Sequence, residues 1–153
     1  MWAIQKNARP KMKFPYTKLI TGVHRPILPF LIYYKNEMPL KYFGLVDSGA
    51  DKTYFGAELA NILGIKNLEN GKPEHVAGVN GISNAFFHPI TINIGGYNFN
   101  IEAGFVKDSN LISLGYGLLG QIGLFGNFDI KFSFRKLEME LTPIDLIFSK
   151  KRN

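Results

Sequence analysis

One stretch of this chain, YFGLVDSGADKTYF over residues 42–55, carries residue types that do chemistry. An apolar run ends at Asp47, and a turn of small residues, Ser48-Gly49-Ala50, follows it. This arrangement suits a catalytic carboxylate. A strand fixes the aspartate backbone, Gly49 admits a second chain segment at close range, and the Ser48 hydroxyl can orient hydrogen bonds. The pattern D-[ST]-G-[AS] arises by chance on the order of once per hundred chains of this length, and Asp-Ser-Gly is also good turn chemistry.

The other candidates are weaker. GYGLLG, Gly115 to Gly120, fits G-x-G-x-x-G, and Glu138 lies near the acidic spacing of a dinucleotide site. Only 33 residues remain after Gly120, too few to complete a doubly wound sheet. Ser48 lacks the G-x-S-x-G setting of a nucleophile elbow. Asp51-Lys52-Thr53 lacks the glycines of a phosphate loop. His24, His75 and His88 are widely spaced, without H-E-x-x-H, so no metal site is read. His75 and His88 could face each other across a hairpin, but surface or strand-packing roles fit them better.

The chain has 153 residues, 46% of them hydrophobic and 20% charged, and no cysteine. That excludes disulfide frameworks, thiolate metal sites and cysteine nucleophiles, and favours one domain. The longest apolar stretch, Pro26 to Tyr34, is far short of a membrane span. The start MWAIQKNARPKMK has no apolar h-region, so a cytoplasmic protein is expected. Net charge is +6, and residues 1–25 hold six basic and no acidic side chains. We read residues 1–16 as a basic, solvated arm, 17–143 as the domain and 144–153 as a basic tail. Phe14 and Tyr16 could stack on bases, but no nucleic-acid module follows, so nucleic acid is disfavoured as a partner.

Strand patterns dominate the elements that must position Asp47. They run over Thr17–Val23, Ile27–Tyr34, Leu40–Val46 and Lys52–Phe55. GAELANILGI, residues 56–65, is the helix candidate, with Leu59, Ile62 and Leu63 on one face and Gly64 as its stop. A polar loop over residues 66–72 precedes a long hairpin, Pro73–Val79 and Ser83–Ile94, turning at Gly78-Val79-Asn80-Gly81. Gly95-Gly96 makes a second turn into Tyr97–Lys107, and Leu111–Leu114 reads as a short strand. Phe128–Phe134 and Leu137–Leu141 form a third hairpin across Arg135-Lys136. Phe86, Phe87, Phe99, Phe105, Phe125, Phe128, Phe132 and Phe134 are expected in the core. The fold class is mostly β, a small barrel or sandwich with one or two short helices.

GLVDSGAD, the glycine-tipped hairpin over His75–Phe87 and LLGQIGLF follow one another in an order that resembles the retropepsin-like aspartic proteases, in particular their small bacterial members. The resemblance covers about Leu40 to Leu141. It implies a closed β-barrel of the acid protease type with a flap hairpin. It also implies that Asp47 is catalytic, that Ser48, Gly49 and Ala50 complete its loop, and that Ser48 bonds across a dimer. On the same ground Asp51 and the flap tip, Gly78, Val79, Asn80 and Gly81, face substrate, while Leu118, Leu119 and Gly120 support the loop from behind. One departure stands out. Retroviral enzymes often carry an arginine after that glycine, paired with the aspartate after the loop; this chain has Gln121 and Asp51. Either Gln121 makes a neutral hydrogen bond, or Asp51 finds another partner.

Such an enzyme needs two carboxylates around one water, and this chain holds a single D-[ST]-G. The resemblance therefore implies a homodimer, with the second Asp47 contributed by another copy across a two-fold axis. It calls for no cofactor and no metal, and its substrate is an extended polypeptide. The competing expectation is an inactive module of the same fold that binds peptides or dimerises without cleaving.

Overall fold

The computed structural model describes residues 9–78, 81–107 and 114–144. Among the described residues, twelve strands and a short α-helix can be given full bounds. In order they are β1 (Met12–Pro15), β2 (Thr17–Lys18), β3 (His24–Arg25), β4 (Ile27–Tyr33), β5 (Leu40–Val46) and β6 (Tyr54–Gly56), then α1 (Ala57–Ile62). There follow β7 (Lys72–Gly78), β8 (Gly81–Ile94), β9 (Tyr97–Val106), β10 (Gly117–Leu119), β11 (Phe128–Ser133) and β12 (Glu138–Pro143). Tight helical turns at Leu68–Asn70 and Phe134–Lys136 complete two connections.

Closure comes from one strand with two partners. β4 pairs β5 on one side and, through Leu31–Tyr33, β8 on the other. The order β4-β5-β10-β6-β9-β8 therefore returns to β4 as a six-stranded barrel, and β7 hangs from β8 outside the ring. Closing the ring leaves β7 as the edge of this sheet. Alternation in β8 and β9 points Ile90, Ile92, Ile94, Phe99, Ile101 and Ala103 inward. They meet Leu28, Phe30 and Ile32 of β4, Phe55 of β6 and Leu119 of β10. Burying each large side chain contributes about 1.5–3 kcal/mol. Gly95-Gly96 makes the two-residue turn expected between β8 and β9, with Ile94 opposite Tyr97.

A second sheet, β1-β12-β11, packs on this core. Its β1 is a departure from the solvated arm expected over residues 1–16. Met12 and Phe14 lie opposite Leu141 and Met139 and pack on the core, while Lys11 and Lys13 on the other face reach Glu140 and Glu138 at 3.6 and 3.8 Å. Period-two alternation, apolar inside and lysine outside, is what sends this basic segment into a sheet. Its first eight residues lie outside the described residues, as do those after Ile144, so the basic tail is not described.

Other expectations are corrected locally. Thr17–Val23 is not one strand: Leu19 accepts the amide of Gly22, and a tight turn separates β2 from β3. The strand read over Lys52–Phe55 pairs only from Tyr54, because Lys52 and Thr53 belong to the loop before it. Helix α1 buries Leu59 and Ala60 and is followed by buried Leu63, but Ile62 is 68% exposed. Gly64 at φ +87° ends it as read from the sequence. Phe132 and Phe134 are exposed rather than core, since the third hairpin has one face in solvent. Of the strand expected at Leu111–Leu114, residues 111–113 lie outside the described residues, and Leu114 is exposed and helical rather than extended.

Candidate active site

Asp47 follows β5, and its backbone is fixed from both sides. The amide of Val46 donates to the carbonyl of Pro26 at 2.9 Å, and that of Asp47 donates to the carbonyl of Leu119 at 3.0 Å. β10 lies parallel to β5, with Leu119 beside Val46, and antiparallel to β6, with Leu118 opposite Tyr54. The loop from β5 to β6 therefore arches over the end of β10. Leu118 and Leu119 of β10 and Gly120 after it lie against this loop.

Within the loop, the Gly49 N–H donates to Asp47 Oδ1 at 2.9 Å, and the Ala50 N–H donates to the Asp47 carbonyl at 3.2 Å. A backbone donor aimed at a carboxylate oxygen orients that carboxylate. Asp47 is half-buried, and Ser48 and Gly49 are exposed beside it. Contacts from the segment after β10 hold the loop from below. Gln121 and Ile122 donate their amides to the carbonyls of Ala50 and Asp51, both at 2.9 Å. The Gln121 side chain donates through Nε2 to the Ser48 carbonyl at 2.9 Å. Of the two possibilities left by the missing arginine, the first is realised, although the acceptor is Ser48. The Asp51 carboxylate is exposed and makes no hydrogen bond or ion pair among the described residues.

Two supports were missed from the sequence. Thr53 is fully buried and its hydroxyl serves both sides, donating to the Ile122 carbonyl at 3.0 Å and accepting from the Gly120 N–H at 3.2 Å. Gly120 permits that approach, since a Cβ there would lie 2.1 Å from the Lys52 carbonyl oxygen. Arg25 donates to the Tyr116 hydroxyl at 2.6 Å, tying the end of β3 to the segment that enters β10. A buried threonine in a loop next to aromatic residues carries no distinctive pattern, and the Arg25–Tyr116 contact joins residues far apart in the chain.

The remaining sequence candidates separate. Gly78 and Gly81 face each other at the end of the β7–β8 ladder, while Val79 and Asn80 lie outside the described residues. His75 lies opposite Asn84 and His88 opposite Ala103, so the two histidines do not face each other. His88 is buried and one ring nitrogen meets the Leu68 carbonyl at 2.7 Å, a packing role. GYGLLG ends in the barrel strand β10 and precedes no regular helix, which removes the dinucleotide reading. Among the described residues, no helix is long and apolar enough to cross a membrane.

Comparison with solved structures bears on the fold. A retropepsin-like aspartic protease from Rickettsia conorii superposes with a TM-score of 0.60 at 20% identity, over 89% of this chain and 94% of that one. The fold is retropepsin-like. The EIAV protease complexed with the inhibitor HBY-793 also matches, at 26% identity and a TM-score of 0.45, over 63% of this chain and 82% of that one. No family model matches the chain. No curated protein matches it either.

Proposed function

We propose that the chain is an aspartic endopeptidase that works as a homodimer. The observation that carries this reading is the Asp47 loop: a half-buried carboxylate oriented by the Gly49 N–H on a loop anchored through Leu119, Gln121 and Thr53. Rigid placement of this kind is what a group that must activate a water requires. Each chain supplies one such carboxylate, so a second Asp47 from another copy completes the pair.

Two carboxylates set against one water hold a single proton between them. The ionised one takes a proton from the water as it attacks the scissile carbonyl carbon, and the protonated one donates to the carbonyl oxygen. The tetrahedral intermediate then collapses as the amide nitrogen gains a proton and leaves as an amine. Water is the nucleophile, so no acyl-enzyme forms. The polypeptide lies extended between the Asp47 loops and the β7–β8 hairpins, adding strand-like hydrogen bonds to the hairpin backbone.

The test is cleavage of a diverse peptide mixture between about pH 4 and 7, where carboxylate pairs of this kind work. Wild type and Asp47→Asn are compared at concentrations where sedimentation shows a dimer. Internal cuts by the wild type that vanish in Asp47→Asn support the mechanism. Cuts that persist in the variant overturn it. No cuts from either, with peptide binding retained, identify the inactive peptide-binding module instead.

A further inference from the structure

The β7–β8 hairpin leaves the barrel at a definable point. Ala85 is the first residue of β8 that pairs β9, and Glu74 is the residue of β7 opposite Ala85. Beyond Glu74 the Asn84 carbonyl still accepts the Lys107 N–H at 3.2 Å, and the pairs from Val76–Ser83 to Gly78–Gly81 belong to the hairpin alone. That is about 10 Å of ladder at ~3.3 Å per residue, with no other strand beside it among the described residues. Glu74 therefore occupies the hinge.

At this hinge both carboxylate oxygens of Glu74 receive Lys52 Nζ, Oε1 at 2.7 Å and Oε2 at 2.5 Å. The two side chains are only 30% and 25% exposed. The Lys52 ammonium also lies 4.8 Å from the centre of the Phe87 ring, which packs edge-on against Tyr54 at 5.9 Å. Ala85, Phe87 and Val106, with Tyr54 and Val76 against them, form a small apolar cluster apart from the main core, and Lys52 caps it. Its methylene stem and charge are both used there.

Lys52 stands on the loop that carries Asp47. Its neighbours are pinned, Asp51 through the Ile122 amide and Thr53 through its buried hydroxyl. The other charged or titratable groups facing Glu74 are Lys72, 3.7 Å from its Oε1, with Asp51 and Tyr54 nearby. Among the described residues, the Lys52–Glu74 pair is the one side-chain ion pair joining β7 to the active-site loop.

We infer that Lys52 and Glu74 form a latch that fixes the β7–β8 hairpin relative to the loop carrying Asp47, so that a contact at the hinge sets how tightly an extended peptide is held between the two. The inference rests on the peptidase reading for its consequence in catalysis, and on geometry alone for the latch. Lys52 and Glu74 are thus positioning residues. Small displacements at the hinge are magnified along the free ladder.

Lys52→Met, Glu74→Gln and Lys52→Arg test this in the full-length protein. Methionine keeps the apolar stem over Phe87 and removes the charge; arginine restores it. Hydrogen exchange of the β7 amides is expected to speed up about three- to fivefold in Lys52→Met and Glu74→Gln, the range a partly exposed pair supports. Amides of β9 should stay unchanged, and Lys52→Arg should resemble wild type. In peptide cleavage, KM rises about threefold in the first two variants while kcat holds within about twofold, the sign of lost binding rather than lost chemistry. Unchanged β7 exchange in both charge-removing variants overturns the latch. Faster exchange with unmoved KM and kcat overturns its positioning role. If exchange responds as expected but wild type cleaves nothing, the latch stands and the peptidase reading falls.

Discussion

The Gln121 side chain donates to the carbonyl of Ser48 at 2.9 Å, so a neutral amide braces the loop that carries Asp47. The donor and acceptor are 73 residues apart in the chain and meet because β10 is inserted between β5 and β6. A neutral brace keeps its strength across the pH range in which carboxylates titrate.

Gln121→Ala should cost about 0.5–1.5 kcal/mol of stability, the net worth of one such hydrogen bond. Gln121→Glu should cost more once ionised, because an acceptor then faces the Ser48 carbonyl. Urea denaturation of both variants at neutral and acidic pH checks this. The Glu variant should recover relative to Ala as the pH falls.

Thr53→Val keeps the shape of the side chain and strands the Gly120 N–H in a buried position. A loss of about 1–3 kcal/mol is expected, the cost of an unsatisfied buried group. Thr53→Ser retains both hydrogen bonds and gives up a methyl group, about 0.8 kcal/mol. Equal destabilisation by the two substitutions would show that the hydroxyl is not what holds the loop.

Glu74 is held below its ordinary carboxylate value, first by the hydrogen bond from Lys52 and then by the Lys52 and Lys72 charges. Glu69 is lowered in the same way by Lys107. A carboxylate lowered in the fold stabilises it above the unfolded value, 4.5 for both. That contribution is lost as pH falls through the lower folded value. Stability should therefore decline on acidification below about 4.5. Glu74→Gln should flatten the decline, with Glu69→Gln adding to the effect. Thermal unfolding from pH 6 to about pH 3 measures it, and identical pH profiles for wild type and both variants would refute the assignment.

What was legible in the sequence was local. The apolar run into Asp47-Ser48-Gly49-Ala50 and the paired glycines between β8 and β9 depend on near neighbours along the chain, and turn chemistry and alternation report those directly. The order of Asp47 loop, hairpin and Leu118-Leu119-Gly120 extended this to a retropepsin-like fold. Helix α1 marks the limit, because its apolar pattern located the segment but left Ile62 in solvent.

Tertiary structure alone decided the rest. Met12 and Phe14 join β12 because Met139 and Leu141 offer a matching apolar face; the alternation of residues 11–14 suits a strand but does not name that partner. The double pairing of β4 closes the barrel and leaves β7 as an edge, and only that topology brings Glu74 to Lys52. Thr53 and Gln121 likewise acquire partners from the segment over 120–122 and the Ser48 loop only when β10 is seated. Single polar side chains are ambiguous in a sequence because what a donor does depends on the acceptor that the register places against it. The catalytic candidate was therefore readable from its own neighbours, whereas the contacts that hold it in place arise from the pairing of distant strands.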